Sequence, residues 1–145
     1  TKHRFKSGNI DTDDYAHHPT ELNAVIGSIK TFYPHQKLLV VFQPHLFSRT
    51  RDFVDGFAES LNKADELILL DIYPARELQE NFEGITSDWL LEKVILEKKE
   101  ISTLDEAFSK IKGKDFDVLL TVGAGNIDTL YDGIAEWLNV QKLDN

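Results

Sequence analysis

The chain of 145 residues is 41% hydrophobic and 28% charged, a composition for one soluble globular domain with a single core and not for a disordered segment. Its formal net charge of −9 argues against a general nucleic-acid or anionic-membrane binder, because phosphate contacts would work against repulsion from most of the surface. Cysteine is absent, which removes disulfides, thiolate zinc sites and thiol nucleophiles and fits a cytoplasmic location.

No apolar run approaches the roughly 20 residues of a membrane span, and no signal-peptide pattern occurs. The chain opens TKHRF and contains no methionine, as expected of a piece excised from something longer.

In chain order, Ile10 to Asp14 is a weak first strand. Pro19 then opens a helix on which Leu22, Val25, Ile26 and Ile29 repeat at helical spacing. LLVVF (38–42) is a nearly continuous apolar run, as expected of a strand covered on both faces in a parallel sheet. Phe53, Phe57 and Leu61 form a second stripe, LILL (67–70) a second buried strand, and Pro74 to Gly84 a long loop. Leu90, Leu91, Val94 and Ile95 make a third stripe, followed by a possible short strand at Lys99 to Ile101. Leu104, Ala107, Phe108 and Ile111 make a fourth, VLLTV (118–122) a third buried strand, and Ile127, Leu130, Tyr131, Ile134 and Leu138 the last stripe. All five stripes read as core packing. Strands alternating with helices predict one α/β domain over 1–145, with a mostly parallel sheet and right-handed crossovers; the strand order stays open.

Ligands of open α/β sheets bind at the carboxyl ends of the strands. There this sequence places DDYAHH (13–18), QPHLFSRTR (43–51), DIYPARE (71–77) and GAGN (123–126), gathering histidines, arginines and glycine turns on one edge. In the first cluster Pro19 suits the opening helical position and Glu21 the first turn. Asp13 and Asp14 would face opposite sides of a strand, and His17 and His18 divide similarly. A metal site there is disfavoured, since adjacent residues rarely ligate one ion. Substrate contact remains, beside helix capping or loop packing.

In the second cluster Ser48 or Thr50 is a candidate cap. Arg49 and Arg51 would then lie in or beside the first turn, at the positive end of the helix dipole, a conflict that Asp52 or a nearby acid could compensate and that a bound carboxylate or phosphate would remove. GAGNID lacks the third glycine of a dinucleotide fingerprint and reads most simply as a tight turn with Asn126 capping. Arg76 beside Glu77 reads equally as a surface ion pair or a ligand contact. No GxxxxGK[ST] segment occurs, so any phosphate cradle must come from elsewhere.

Taken together, DDYAHHPTEL, FQPHLFSRTRDF, LDIYPARE and LTVGAGNID resemble the C-terminal domain of the Mur ligases from Asp13 to about Leu138, and HRF at 3–5 resembles the opening of that domain. The resemblance implies a Rossmann-like three-layer α/β domain that is one third of a three-domain enzyme, beside a UDP-sugar domain and a central ATPase domain. The member it most resembles uses ATP to phosphorylate the lactyl carboxylate of UDP-N-acetylmuramate. The amine of L-alanine then attacks the acyl phosphate, giving an amide, ADP and phosphate. ATP and Mg2+ would be held mainly by the central domain, so this domain alone is expected to be inactive.

By the same resemblance, Arg4, Asp14 and Tyr15 fall at nucleotide-facing positions and His17 near substrate at the reacting centre. His45 and Arg49 fall where the alanine end is held, with Arg49 paired to the carboxylate. Leu46 stands where many members carry a basic residue, and KSGNIDT (6–12) is shorter than the family's usual strand-forming segment. Two alternatives are weighed beside this reading: the related ligase that adds a recycled tripeptide to the same sugar nucleotide, and a free-standing small-anion or nucleotide-binding module.

Overall fold

The computed structural model describes residues 2–4, 10–14, 18–123, 126–127, 129–130 and 132–137, the first two stretches through their backbone alone. In chain order the elements are β1 (Lys2–Arg4), β2 (Ile10–Asp14), α1 (Pro19–Phe32), β3 (Leu38–Gln43), α2 (Phe47–Asp52), α3 (Val54–Leu61), β4 (Glu66–Leu70), a 3-10 turn (Gln79–Asn81), α4 (Ser87–Lys93), β5 (Lys99–Ser102), α5 (Leu104–Lys112) and β6 (Val118–Gly123). Residues 129–130 and 132–137 are helical.

The six strands form one sheet in the order β1-β2-β6-β3-β4-β5. Every pairing is parallel except that of β1 with β2, which is antiparallel with Lys2 opposite Thr12. The α/β, Rossmann-like expectation holds, with β1 as an additional edge strand. The order places the last strand between β2 and β3, so that Val118 faces both Ile10 and Leu38.

The continuous apolar runs are explained by the two cores. In β3, Leu38, Val40 and Phe42 point into one cluster with α1, α3 and α4, while Leu39 and Val41 point into the other with α5 and Ile127, Leu130 and Ile134. The same alternation runs through Leu67 and Leu69 against Ile68 and Leu70. Side chains of a strand alternate faces, so covering both faces requires apolar residues at every position. Helices therefore form the two outer layers. No helix among the described residues is long and apolar enough to cross a membrane.

Two stripes depart from expectation. Phe53 belongs to no helix: with φ −122° and ψ 23° it separates α2 from α3 and is 41% exposed, its ring 4.6 Å from that of His18. Ile95 is 81% exposed, because α4 ends at Lys93 and the chain has already turned away. Elsewhere Leu22, Ile26, Phe57, Leu61, Leu90, Ala107, Ile111 and Ile134 are buried as their spacing requires. Tyr131 and Leu138 lie outside the described residues.

Several helix ends have a local cause. His18 caps α1, its Nδ1 accepting from Thr20 N–H at 3.2 Å, and Pro19 takes the first helical position as expected. α1 packs closely on α3 because residue 56 is glycine; a Cβ there would lie 2.9 Å from that of Pro19. Thr103 caps α5, its Oγ1 accepting from Glu106 N–H at 3.2 Å while the hydroxyl donates to Glu106 Oε1 at 3.0 Å.

Candidate functional site

The carboxyl ends of β2, β6, β3 and β4 lie side by side along one edge, because these strands are adjacent and parallel. The segments that follow them are those the sequence singles out. His18 and His45 are on this edge. His35 is not: it lies in the turn before β3, at the opposite end of the sheet, and His3 lies on β1. Asp14 ends β2 on this edge, whereas Arg4 on β1 lies opposite Ile10 at the amino end of that strand, both described through their backbone; Tyr15 and His17 lie outside the described residues.

His45 and Arg49 are brought together. The Arg49 guanidinium lies 3.0 Å from His45 Nδ1. Arginine only donates, so Nδ1 is the acceptor and the neutral imidazole carries its proton on Nε2. Tyr73 stacks on the same ring at 5.7 Å and 17°. Backbone bonds from Leu46 N–H to the Tyr73 carbonyl and from Tyr73 N–H to the Pro44 carbonyl, both 2.8 Å, extend the β3–β4 pairing beyond the strands to hold the imidazole in place. Both members of the pair are half-buried. Among the described residues no carboxylate forms an ion pair with Arg49. The rest of its planar fork is suited to bidentate recognition of a carboxylate or phosphate.

The helix boundary on which the sequence argument for an anion rested is corrected. α2 begins at Phe47, with Leu46 as its cap residue at φ 74° and no capping side chain. Neither Ser48 nor Thr50 is the cap; the Thr50 hydroxyl donates back to the Leu46 carbonyl at 2.9 Å. Arg51 therefore lies in the last turn of this short helix, where the dipole favours cations, while Arg49, third of its six residues, belongs to the first turn as well as the last. The expected conflict is thus removed for Arg51 but not for Arg49.

The first turn already has its anion. The Glu77 carboxylate accepts from Ser48 N–H at 3.0 Å and from the Ser48 hydroxyl. Partial burial pushes the Glu77 carboxyl up, but the Ser48 hydroxyl and amide, the Phe47 amide and the Arg51 charge outweigh it and hold the group below its ordinary value. Arg76 is exposed, so the Arg76–Glu77 ion pair gives way to the Glu77–Ser48 link. Arg51 pairs with Asp52 at 2.9 Å, its guanidinium 5.4 Å from the Phe82 ring.

Three supporting residues escape a reading by motif: Gln43, Tyr73 and Glu77. Gln43 is 5% exposed and joins two strand ends. Its Nε2 donates to Asn126 Oδ1 at 2.7 Å and its Oε1 accepts from Ile127 N–H at 3.1 Å. The Asn126 side chain is thus engaged by Gln43, and its carbonyl, not its amide group, accepts from Thr129. Gly123 sits where β6 meets β3: a Cβ would lie 2.9 Å from Ile127 Cγ2 and 3.1 Å from the Gln43 carbonyl oxygen. Gln43 was signalled only by its position at the end of a buried strand, and Tyr73 and Glu77 only by lying in the segment that follows β4.

The loop at 74–84 is docked on α2 through Phe82, whose ring stacks on that of Phe47 at 5.8 Å. Beneath it a cleft of about 180 Å³ is lined by Phe47, Asp71, Gln79 and Asp88 among others. Its two carboxylates make it unsuited to an anion. Among the described residues no three or more His, Asp or Glu side chains converge as a metal site.

Residues 3–125 match the family described as Mur ligase, glutamate ligase domain. The chain is 54% identical over 127 residues to a UDP-N-acetylmuramate–L-alanine ligase of Flavobacterium johnsoniae, covering 88% of this chain and 28% of that relative. It is 51% identical over 127 residues to the ligase of the same name from Flavobacterium psychrophilum, with the same coverage. The crystal structure of a UDP-N-acetylmuramate–alanine ligase from Thermotoga maritima superposes with a TM-score of 0.70 at 25% identity, over 93% of this chain and 28% of that one. The chain thus spans little more than a quarter of the length of these relatives.

Proposed function

This chain belongs to the Mur ligase, glutamate ligase domain family, and from that premise we propose that it is the third, C-terminal domain of a three-domain ligase joining L-alanine to UDP-N-acetylmuramate with ATP in peptidoglycan synthesis. The relatives' names and the extent of the match support this reading. The reaction activates the lactyl carboxylate as an acyl phosphate; the amine attacks it and phosphate departs. An acyl phosphate hydrolyses readily, so a domain that closes over the cleft contributes by excluding water and by positioning the acceptor. The proposed setting is the cytoplasm, where ATP and nucleotide sugars are available.

In this proposal Arg49 receives the carboxylate of L-alanine, His45 holds the guanidinium by accepting one of its N–H groups, and His17 contacts substrate nearer the reacting centre. Arg4, Asp14 and Tyr15 face the nucleotide. None of these groups needs to transfer a proton; their contribution is orientation and charge. ATP-dependent ligation calls for Mg2+. The described residues do not fit that ion, and its ligands are assigned to the central domain.

The observation that carries the amino-acid role is the Arg49–His45 contact of 3.0 Å on the strand edge, with the rest of the fork free of any described carboxylate. In the full ligase, Arg49→Ala is expected to raise the KM for L-alanine by roughly ten- to a hundred-fold, the scale of losing a charge-assisted bidentate contact, with a much smaller effect on the KM for ATP. Steady-state kinetics with each substrate varied in turn checks this. Equal changes in the two constants would remove the carboxylate role.

A further inference from the structure

Both residues of the proposed acceptor pair are held by the segment that follows β4. Tyr73 stacks on His45 and exchanges backbone hydrogen bonds with its neighbours Pro44 and Leu46. A turn closed by Glu77 N–H on the Pro74 carbonyl, 2.9 Å, then reverses the chain, with Ala75 at φ 53°. That reversal brings the Glu77 carboxylate to the amide and hydroxyl of Ser48, one residue before Arg49.

α2 has only six residues, and helices so short do not hold themselves without tertiary partners. Its cap residue Leu46 supplies no side-chain acceptor, so its first-turn amides would otherwise lack one. Leu46 and Ala75 are the two non-glycine residues with positive φ among the described residues, and they lie at opposite sides of the Glu77–Ser48 link. Backbone held in such unfavourable conformations persists where surrounding contacts over-determine it.

Resting on the reading of Arg49 as partner of the amino-acid carboxylate, we propose that Glu77 is a positioning residue: it fixes the start of α2 through Ser48 and thereby aims the Arg49 guanidinium, so that amino-acid affinity depends on a carboxylate that does not touch the amino acid. A helix that slips or frays at its first turn carries Arg49 away from His45. A misplacement of about 1 Å in a positioning group is enough for a loss of up to ~100-fold.

The test uses the full ligase containing this chain, with Glu77→Ala, Glu77→Gln and Ser48→Ala. Glu77→Ala is expected to raise the KM for L-alanine roughly ten-fold or more while the KM for ATP stays within about two-fold. In histidine-labelled protein the nitrogen resonance of His45 Nδ1 is expected to move as the Arg49 hydrogen bond is lost. Glu77→Gln keeps an acceptor for the Ser48 amide and is expected to restore most of both readouts. Unchanged L-alanine KM and an unmoved His45 resonance in Glu77→Ala overturn the proposal, as does a parallel rise in both KM values, which would mean a general loss of structure. If Glu77→Ala does not fold, Ser48→Ala is read in the same way, with the same direction and a smaller size expected; no change there also overturns it. Should the wild-type enzyme not accept L-alanine, the functional reading fails, while the His45 resonance still decides the role of Glu77.

Discussion

Gln43 uses both ends of its amide on the turn that follows β6, at a site almost closed to water. Replacing it with alanine strands the buried Ile127 N–H, which costs about 1–3 kcal/mol beyond the cavity left behind. Gln43→Ala is therefore expected to lower stability by at least ~2 kcal/mol in chemical denaturation, without altering the far-UV spectrum of the folded form. At this scale the sequence was legible where neighbours in the chain make the contact. Pro19 at the first position of α1 is such a case; His45 and Arg49, four residues apart, were named through the resemblance and not through a local pattern. It was opaque where partners are far apart, as for Gln43 with Ile127 or Glu77 with Ser48. Pairings across 84 and 29 residues leave no local pattern to read.

Among the elements, α5 shows what a well-signalled helix looks like: Thr103 and Glu106 satisfy each other's groups at its start, and Lys110 and Lys112 occupy its last turn. Thr103→Ala is expected to destabilise the protein by about 1 kcal/mol, measurable as a shifted denaturation midpoint with an unchanged slope. α2 is the opposite case. A search for a cap finds Ser48 and Thr50, yet the helix begins earlier, after a leucine in a left-handed conformation that no propensity favours. That one misplaced boundary turned Arg51, in the last turn, into an apparent first-turn residue. The anion role proposed for Arg49 is therefore argued from its place beside His45 and not from the dipole.

For the molecule as a whole, ionic contacts cluster at the end of the sheet opposite the candidate site. Glu66, 7% exposed, faces Lys37 at 3.3 Å and Lys114 at 3.0 Å, and Lys114 also reaches Glu100. Bonding to Lys114 draws the Glu100 carboxyl below its ordinary 4.5 against the opposing effect of burial. Burial raises Asp65, but the Leu38 amide and Lys30 bring it below 3.8. Glu100 chiefly, then burial in the opposite sense and Glu66, set Lys114 above 10.5. Depressed carboxylates stabilise fully above their unfolded values and cease to do so as pH falls through the lower folded ones. The raised lysine stabilises fully below 10.5 and ceases to do so as pH rises through its higher folded value. Thermal melting is expected to be flat near neutrality, to fall below about pH 4, and to fall less steeply in Glu100→Gln. The three-layer α/β class was legible from runs and stripes; the strand order was not, because apolar runs carry no record of which neighbour they choose. That order governs assembly on the ribosome. With β6 lodged between β2 and β3, the two halves of the ligand edge have no shared neighbour until residue 118 and its successors emerge. A nascent chain can begin to pair β3, β4 and β5 early, but it joins the β2 side to them only once Val118–Gly123 has been made.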